Sequence, residues 1–293
     1  MKTTNKLNKL STGEKIFNVC NIIFMVVMII VMLYPMWYVA VASFSDGTAV
    51  TKAGGKMLWV QGFNTYSYQV MLKNPALLSG YRNTLIVLIG GTALNIILTA
   101  FAGYFLSRKN VMWSRVVSVG IIITMYFNGG LIPSYLTVKS LGLYNSLWAL
   151  ILPTAISTFN VIIMRTGFEA IPDSLEESAK IDGARQSTIL FRIMLPLCKS
   201  TIAVLVLYYG VGHWNEWFNA MIYLKDRELF PLQLILREIV MFNTATDVAV
   251  DKVQLSETVQ YAAIIITTLP ILCVYPFLMR FFEGGAMIGA VKG

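Results

Sequence analysis

Six runs of apolar residues, each long enough to cross a bilayer, divide this 293-residue chain. They lie at about 16–44, 82–106, 116–138, 144–166, 199–223 and 259–282. About 20 mostly apolar residues span the hydrocarbon core as a helix. In lipid only helices and closed barrels satisfy their own backbone. The runs are continuous rather than alternating, so helices are predicted. The chain therefore reads as an all-α integral membrane protein with six transmembrane helices, forming one domain over residues 1–293. The composition agrees, with 56% hydrophobic and 13% charged residues, against about 25% charged in soluble domains.

The N-terminus carries Lys2, Lys6, Lys9 and Lys15 ahead of the first run, in the manner of a signal peptide. That run is too long for a signal peptide's apolar region, and no small-residue cleavage site follows, so a retained first span is expected. Cytoplasmic loops are enriched in Lys and Arg. Placing the N-terminus inside puts Arg108, Lys109, Arg115, Arg165, Lys180, Arg185, Arg192 and Lys199 on the same side. The expected orientation is N-in, C-in. It leaves two longer loops, about 45–81 and 224–258, outside, where they can form a lid or a docking surface. The net charge of +8 is then a basic cytoplasmic face rather than a sign of nucleic-acid binding.

The chain encodes little chemistry. It has no phosphate-cradling G-x-x-x-x-G-K-[ST] loop and no H-E-x-x-H pair. Its single histidine is His213, and Glu216 is the main charge inside a predicted span. Cys20, Cys198 and Cys273 have no paired spacing, which points to buried small hydrophobes rather than a disulfide or metal site. Energy for any work is expected from a partner.

The stretch from Pro172 to Pro196, between the fourth and fifth runs, is different in kind. Ser174 and Glu177 have the spacing of a capping box, and Asp173, Glu176 and Glu177 suit the positive end of a helix. A helix over about 175–181 is predicted. Asp182 and Gly183 mark a turn, since glycine accepts positive φ and close backbone approach. A second helix is predicted over about 184–195, with apolar residues at Ile189, Leu190, Ile193 and Met194, and Pro196 ending or kinking it. Two readings fit: a solvated connection, or a hairpin whose apolar stripe docks to another protein.

In these residues the chain resembles bacterial ABC importer permeases. Their EAA motif reads Glu-Ala-Ala, three residues, Gly, nine residues, then Ile-x-Leu-Pro. Here Glu177, Ser178, Ala179, Gly183, Ile193, Leu195 and Pro196 occupy those positions, with Asp182 before the glycine; Ser178 replaces the first alanine. "NGGLIPSYLTVKSLGLYNSLWALILP", "HWNEWFNAMIYL" and "FFEGGAMIGAVKG" look like the MalG-type carbohydrate permeases, and the likeness runs from about residue 16 to the C-terminus. It lies nearest the branch that handles oligosaccharides and polysaccharide fragments.

The resemblance implies a multi-pass protein of the bacterial inner or plasma membrane, with the EAA segment as the mechanical joint to the motor. Expected partners are a second, homologous permease, two ATPase subunits and an extracytoplasmic solute-binding protein. The chain itself carries no cofactor; ATP and Mg belong to the ATPases. The tail residues Gly289, Ala290, Val291, Lys292 and Gly293 either contact the ATPase dimer or fray. For the substrate pathway, His213, Trp214, Asn215, Glu216 and Trp217 combine aromatic faces with polar groups, and Asn128 sits in a Gly-broken run. The same tryptophans also suit interface anchoring. Competing readings are an ABC permease for a non-carbohydrate solute, a membrane-embedded enzyme relying on Glu216, and a stand-alone carrier.

Overall fold

A computed structural model describes residues 11–108, 111–127, 129–242, 258–274 and 276. Among them the chain is helical, without strands. The helices are α1 (Thr12–Ser43), α2 (Gly47–Ala53), α3 (Tyr66–Leu72), α4 (Pro75–Ser107), α5 (Ser114–Tyr126), α6 (Leu131–Ser140), α7 (Trp148–Ile151), α8 (Thr158–Glu169) and α9 (Asp173–Ile181). They continue as α10 (Gln186–Leu197), α11 (Lys199–Trp214), α12 (Phe218–Tyr223), α13 (Leu232–Phe242) and α14 (Thr258–Val274).

Among the described residues two helices, α1 and α4, are long and apolar enough to cross a membrane, and two bent pairs raise the number to as many as four. α5 and α6 meet at 115°, and α10 and α11 at 84°. The predicted run at 144–166 is not one helix. Pro153 interrupts it, leaving the short α7 and the 12-residue α8. At 1.5 Å per residue α8 is about 18 Å long, short of a core about 30 Å thick. The fifth run likewise stops at Trp214, where the Asn215 amide bonds back to the Val211 carbonyl at 3.0 Å.

Contacts divide the chain into two compact units. One comprises residues 1–71 and 242–266. In it Ser11 and Glu14 form a reciprocal capping box that starts α1. Most of α1 is exposed apolar surface, with only Val41, Ala42 and Ser43 buried. Val41 and Ala42 pack with Val50 and Met57, and the Trp37 Nε1 donates to the Leu58 carbonyl at 2.8 Å.

The other unit comprises residues 72–241 and 267–293 and is built around α4. Asn74 caps this helix and Pro75 opens it, where a missing N–H is harmless. One stripe of α4 is buried at every fourth residue: Asn83, Val87, Gly91, Asn95, Thr99, Gly103 and Ser107. Helices in lipid gain little from apolarity alone, so small residues admit close packing and polar residues join across it. A Cβ on Gly103 would fall 2.9 Å from Met164 of α8, and one on Gly91 would fall 2.6 Å from the His213 ring of α11. Outside the bundle, Asn145 in a left-handed conformation ties two loops together. Its oxygen accepts from the Lys225 and Asp226 amides at 2.9 and 3.0 Å. Cys198 is buried as expected, whereas Cys20 and Cys273 lie on the surface.

Candidate functional site

The segment 173–197 folds as the two-helix insert foreseen, with differences in its ends. α9 starts at Asp173 after Pro172, two residues earlier than predicted. Ser174 is therefore inside the helix and caps nothing; its carbonyl accepts from the Ser178 hydroxyl at 2.8 Å. Proline already restricts the residue that enters the helix, so a serine cap is not needed there. At the other end Gly183 has φ of 78°. Its amide bonds to the Lys180 carbonyl at 3.0 Å and that of Ala184 to Ala179 at 2.9 Å. This is the Schellman arrangement, which calls for glycine. No described atom of the chain lies within 4 Å of where a Gly183 Cβ would stand, so the glycine serves conformation rather than close approach within the chain.

α10 includes a π-helical stretch, Ile189–Met194, ahead of Pro196. A proline cannot donate to the carbonyl four residues back and crowds it; a wider turn upstream accommodates this. The helix continues through Pro196, and the sharp bend comes at Cys198.

Charge and packing fasten the insert to α4. Glu176 is 5% exposed and forms an ion pair with Arg108, the residue that ends α4. Lys180 Nζ lies 2.7 Å from its other oxygen. Arg108 also rests over the Tyr104 ring, 5.0 Å from its centre. The Tyr104 hydroxyl in turn donates to Gln186 Oε1 at 2.7 Å. Neighbouring turns of one long helix thus hold both helices of the insert. Beneath them Ala179, Ile189, Leu190 and Met194 pack with Ala100, Met164 and Phe168; Ile193 and Leu195 are half-buried at the edge. Glu177, Ser178, Asp182, Gly183 and Pro196 are exposed, and Ile181 stands out as an apolar knob at 86% exposure. The insert has one face locked to its own chain and one face free.

The residues expected along a pathway do not converge. His213 is buried, with Nε2 2.7 Å from Asn95 Oδ1. The Asn95 amide donates to the Thr154 and Ala155 carbonyls at 2.7 and 2.9 Å. Those carbonyls lie just after Pro153, where the helix is broken, so Asn95 satisfies the freed backbone. Tyr209 does the same for the Ser157 amide at 3.1 Å and pairs with Thr99 at 2.7 Å. Trp214 is buried against an apolar cavity whose wall includes Thr92, Leu88, Val211 and Ile271. Neither its Nε1 nor Thr92 Oγ1 has a hydrogen-bond partner among the described residues. Asn215 bonds back to its own helix, Glu216 accepts from the Asn219 amide at 3.0 Å, and the Trp217 ring lies under Arg237. Asn128 and the tail residues Gly289 to Gly293 lie outside the described residues. Arg108, Tyr104, Asn95 and Tyr209 are the residues that reading by motif missed. The spacing of small and polar residues by four along α4 is a signal in the sequence that would have singled out Asn95.

No family model matches the chain. Among curated proteins, Protein LplC of Bacillus subtilis (strain 168) is 38% identical over 283 residues, covering 95% of this chain and 96% of that protein. The polygalacturonan/rhamnogalacturonan transport system permease protein YtcP of the same organism is 36% identical over 276 residues, covering 92% and 96%. In structure, the chain matches one from the crystal structure of a bacterial ABC transporter involved in import of the acidic polysaccharide alginate. The TM-score is 0.85 at 30% identity, over 93% of this chain and 99% of that one. Full-length likeness at these identities, together with an insert built as described, assigns the chain to the carbohydrate ABC transporter permeases.

Proposed function

We propose that this chain is the membrane-spanning subunit of an ATP-driven, binding-protein-dependent importer of oligosaccharides cut from larger polysaccharides. The observation that carries the reading is the insert at 173–197, fixed to α4 on one face and bare on the other. A surface that is rigid toward the membrane and open toward solvent suits the transmission of a push from a soluble motor. In this reading the chain crosses the membrane six times, N-in and C-in, and pairs with a second homologous permease. Two ATPase subunits bind ATP and Mg below, and a solute-binding protein delivers sugar from outside. Glu177, Ser178, Ile181, Asp182 and Gly183 meet the ATPase, and the tail from Gly289 to Gly293 adds a second contact. The pathway is lined in part by Trp214, whose indole N–H has no acceptor among the described residues, with His213, Asn215, Glu216 and Trp217 beside it in sequence and Asn128 contributed from the third run.

The relatives named for polygalacturonan and alginate put acidic oligosaccharides first among substrates to try. The decisive experiment reconstitutes the permease pair with its ATPase and binding protein in vesicles and measures ATP-dependent uptake across a panel of oligosaccharides. Uptake of one or more, dependent on the binding protein, is expected. Uptake of amino acids or phosphate instead would turn the reading to a non-carbohydrate solute.

A further inference from the structure

A second cavity, about 570 Å³, opens between the C-terminal end of α4, the start of α5 and the end of α8. Its wall carries three arginines, Arg108, Arg115 and Arg165, with Ser107, Ser114 and Ser118; the Ser107 and Ser118 hydroxyls donate to the Tyr104 and Ser114 carbonyls of their own helices. Arg108 spends two nitrogens on Ser107 and Glu176. Arg165 donates to Glu169 at 2.8 Å and Ser118 at 3.3 Å. Among the described residues Glu169 is the one carboxylate in the wall, and it is paired with Arg165. Arg115 stands exposed at the rim and makes no ion pair or hydrogen bond among the described residues, so its fork is open to a ligand. A guanidinium presents five donors in a planar fork, suited to phosphate oxygens.

Two further features bear on what fills this space. α5 starts from Trp113, a non-glycine residue at φ of 72°, and has no side-chain cap. Its positive end is thus open to an anion. The other feature is apolar. Val116, Val119 and Ile123, up the same helix, are 60%, 53% and 50% exposed, and α5 has no buried residue. A basic pocket joined to an exposed apolar wall at the end of membrane helices has the two-part chemistry of a phospholipid.

We propose that the cavity lined by Arg108, Arg115 and Arg165 binds the phosphate of an anionic phospholipid headgroup, with the acyl chains lying along α5. The lipid belongs to the cytoplasmic leaflet, which rests on the N-in orientation proposed above. It adds counter-charge beside Arg108, the residue that ties α4 to the insert, and so couples membrane composition to the joint.

The test is native mass spectrometry of the full-length chain in mild detergent, titrated with phosphatidylglycerol or phosphatidylcholine. The wild type should retain one phosphatidylglycerol in clear preference to phosphatidylcholine. Arg115→Gln should weaken that retention about tenfold, the scale of a lost charged hydrogen bond, and Arg115→Lys should weaken it less. Arg82→Gln, at the other end of α4, should leave it unchanged, and an unfolding temperature of Arg115→Gln equal to that of the wild type shows that the loss is not misfolding. Equal retention of phosphatidylcholine, or no effect of Arg115→Gln, overturns the proposal. Displacement by an equal concentration of soluble glycerol phosphate would mean a free-phosphate site and also overturns it. So does an Arg115→Gln variant that keeps its lipid but loses stimulation of ATP hydrolysis in the assembled transporter, which would give this surface to the motor. Because sugar uptake is not read here, failure leaves the transport reading standing, and failure of uptake leaves lipid retention to be judged alone.

Discussion

Glu176 and Glu177 are adjacent acids with opposite fates. The motif points to Glu177, yet it is Glu176 that is buried between Arg108 and Lys180, while Glu177 faces outward. Removing one member of a buried pair strands the other charge, at a cost of about 3–5 kcal/mol. Glu176→Ala and Arg108→Ala should each lower the unfolding temperature of the purified chain markedly. The double variant should lose less than the sum of the two, because no charge is left stranded. Additive losses would mean the pair contributes nothing as a pair. Gly183 makes a second test at this scale. Its positive φ disfavours any L side chain by roughly 1–2 kcal/mol, and no described atom of the chain meets a Cβ there. Gly183→Ala and Gly183→Leu should therefore destabilise the isolated subunit alike. If the ATPase packs closely over the turn, Leu should abolish coupled uptake while Ala retains part of it. Equal uptake by the two variants would remove the turn from the docking surface.

Among the elements, α4 carries the organisation. Its stripe of mostly small and polar residues runs from Asn83 to Ser107 at intervals of four, and Asn83, Gly91, Asn95, Thr99 and Gly103 each meet a specific group on another segment. Gly91→Ala should destabilise the bundle, because the new methyl falls 2.6 Å from the His213 ring. Pairing it with His213→Ala should recover part of the loss in a thermal unfolding assay. Absence of any effect of Gly91→Ala would show that the α4–α11 contact is loose.

This stripe also shows what was legible beforehand. Helix existence followed from the apolar runs, and the insert followed from its charge, turn and proline signals. Breaks inside the runs followed only in part: the glycines after Asn128 marked the one between α5 and α6, whereas the one at Pro153 was not read. Pro153 splits one helix because Asn95 and Tyr209, dozens of residues away, satisfy the backbone it frees. Local propensity holds no record of such partners. Ser174 misled for a related reason. A capping pattern is only as good as its helix boundary, and Pro172 moved that boundary by two residues; the same pattern at Ser11 and Glu14 does form. The ion pair of Arg108 with Glu176 spans 68 positions and left no motif.

For the whole molecule, the proposed function places the motor in partner subunits and the insert on the cytoplasmic side. It predicts sidedness. In a variant lacking native thiols, Glu177→Cys should react with an impermeant maleimide only from the cytoplasmic side, and bound ATPase should protect it. Labelling from outside would invert the proposed topology. The claim that everything else depends on is that ATP hydrolysis by partner subunits drives sugar through this chain by way of the insert. It is tested by uptake of labelled oligosaccharide into vesicles holding the full assembly, with Gly183→Leu beside the wild type. The account predicts uptake that requires ATP and the binding protein and that collapses in the variant while ATP hydrolysis continues. Wild-type uptake in the variant, or uptake without the ATPase, would contradict it.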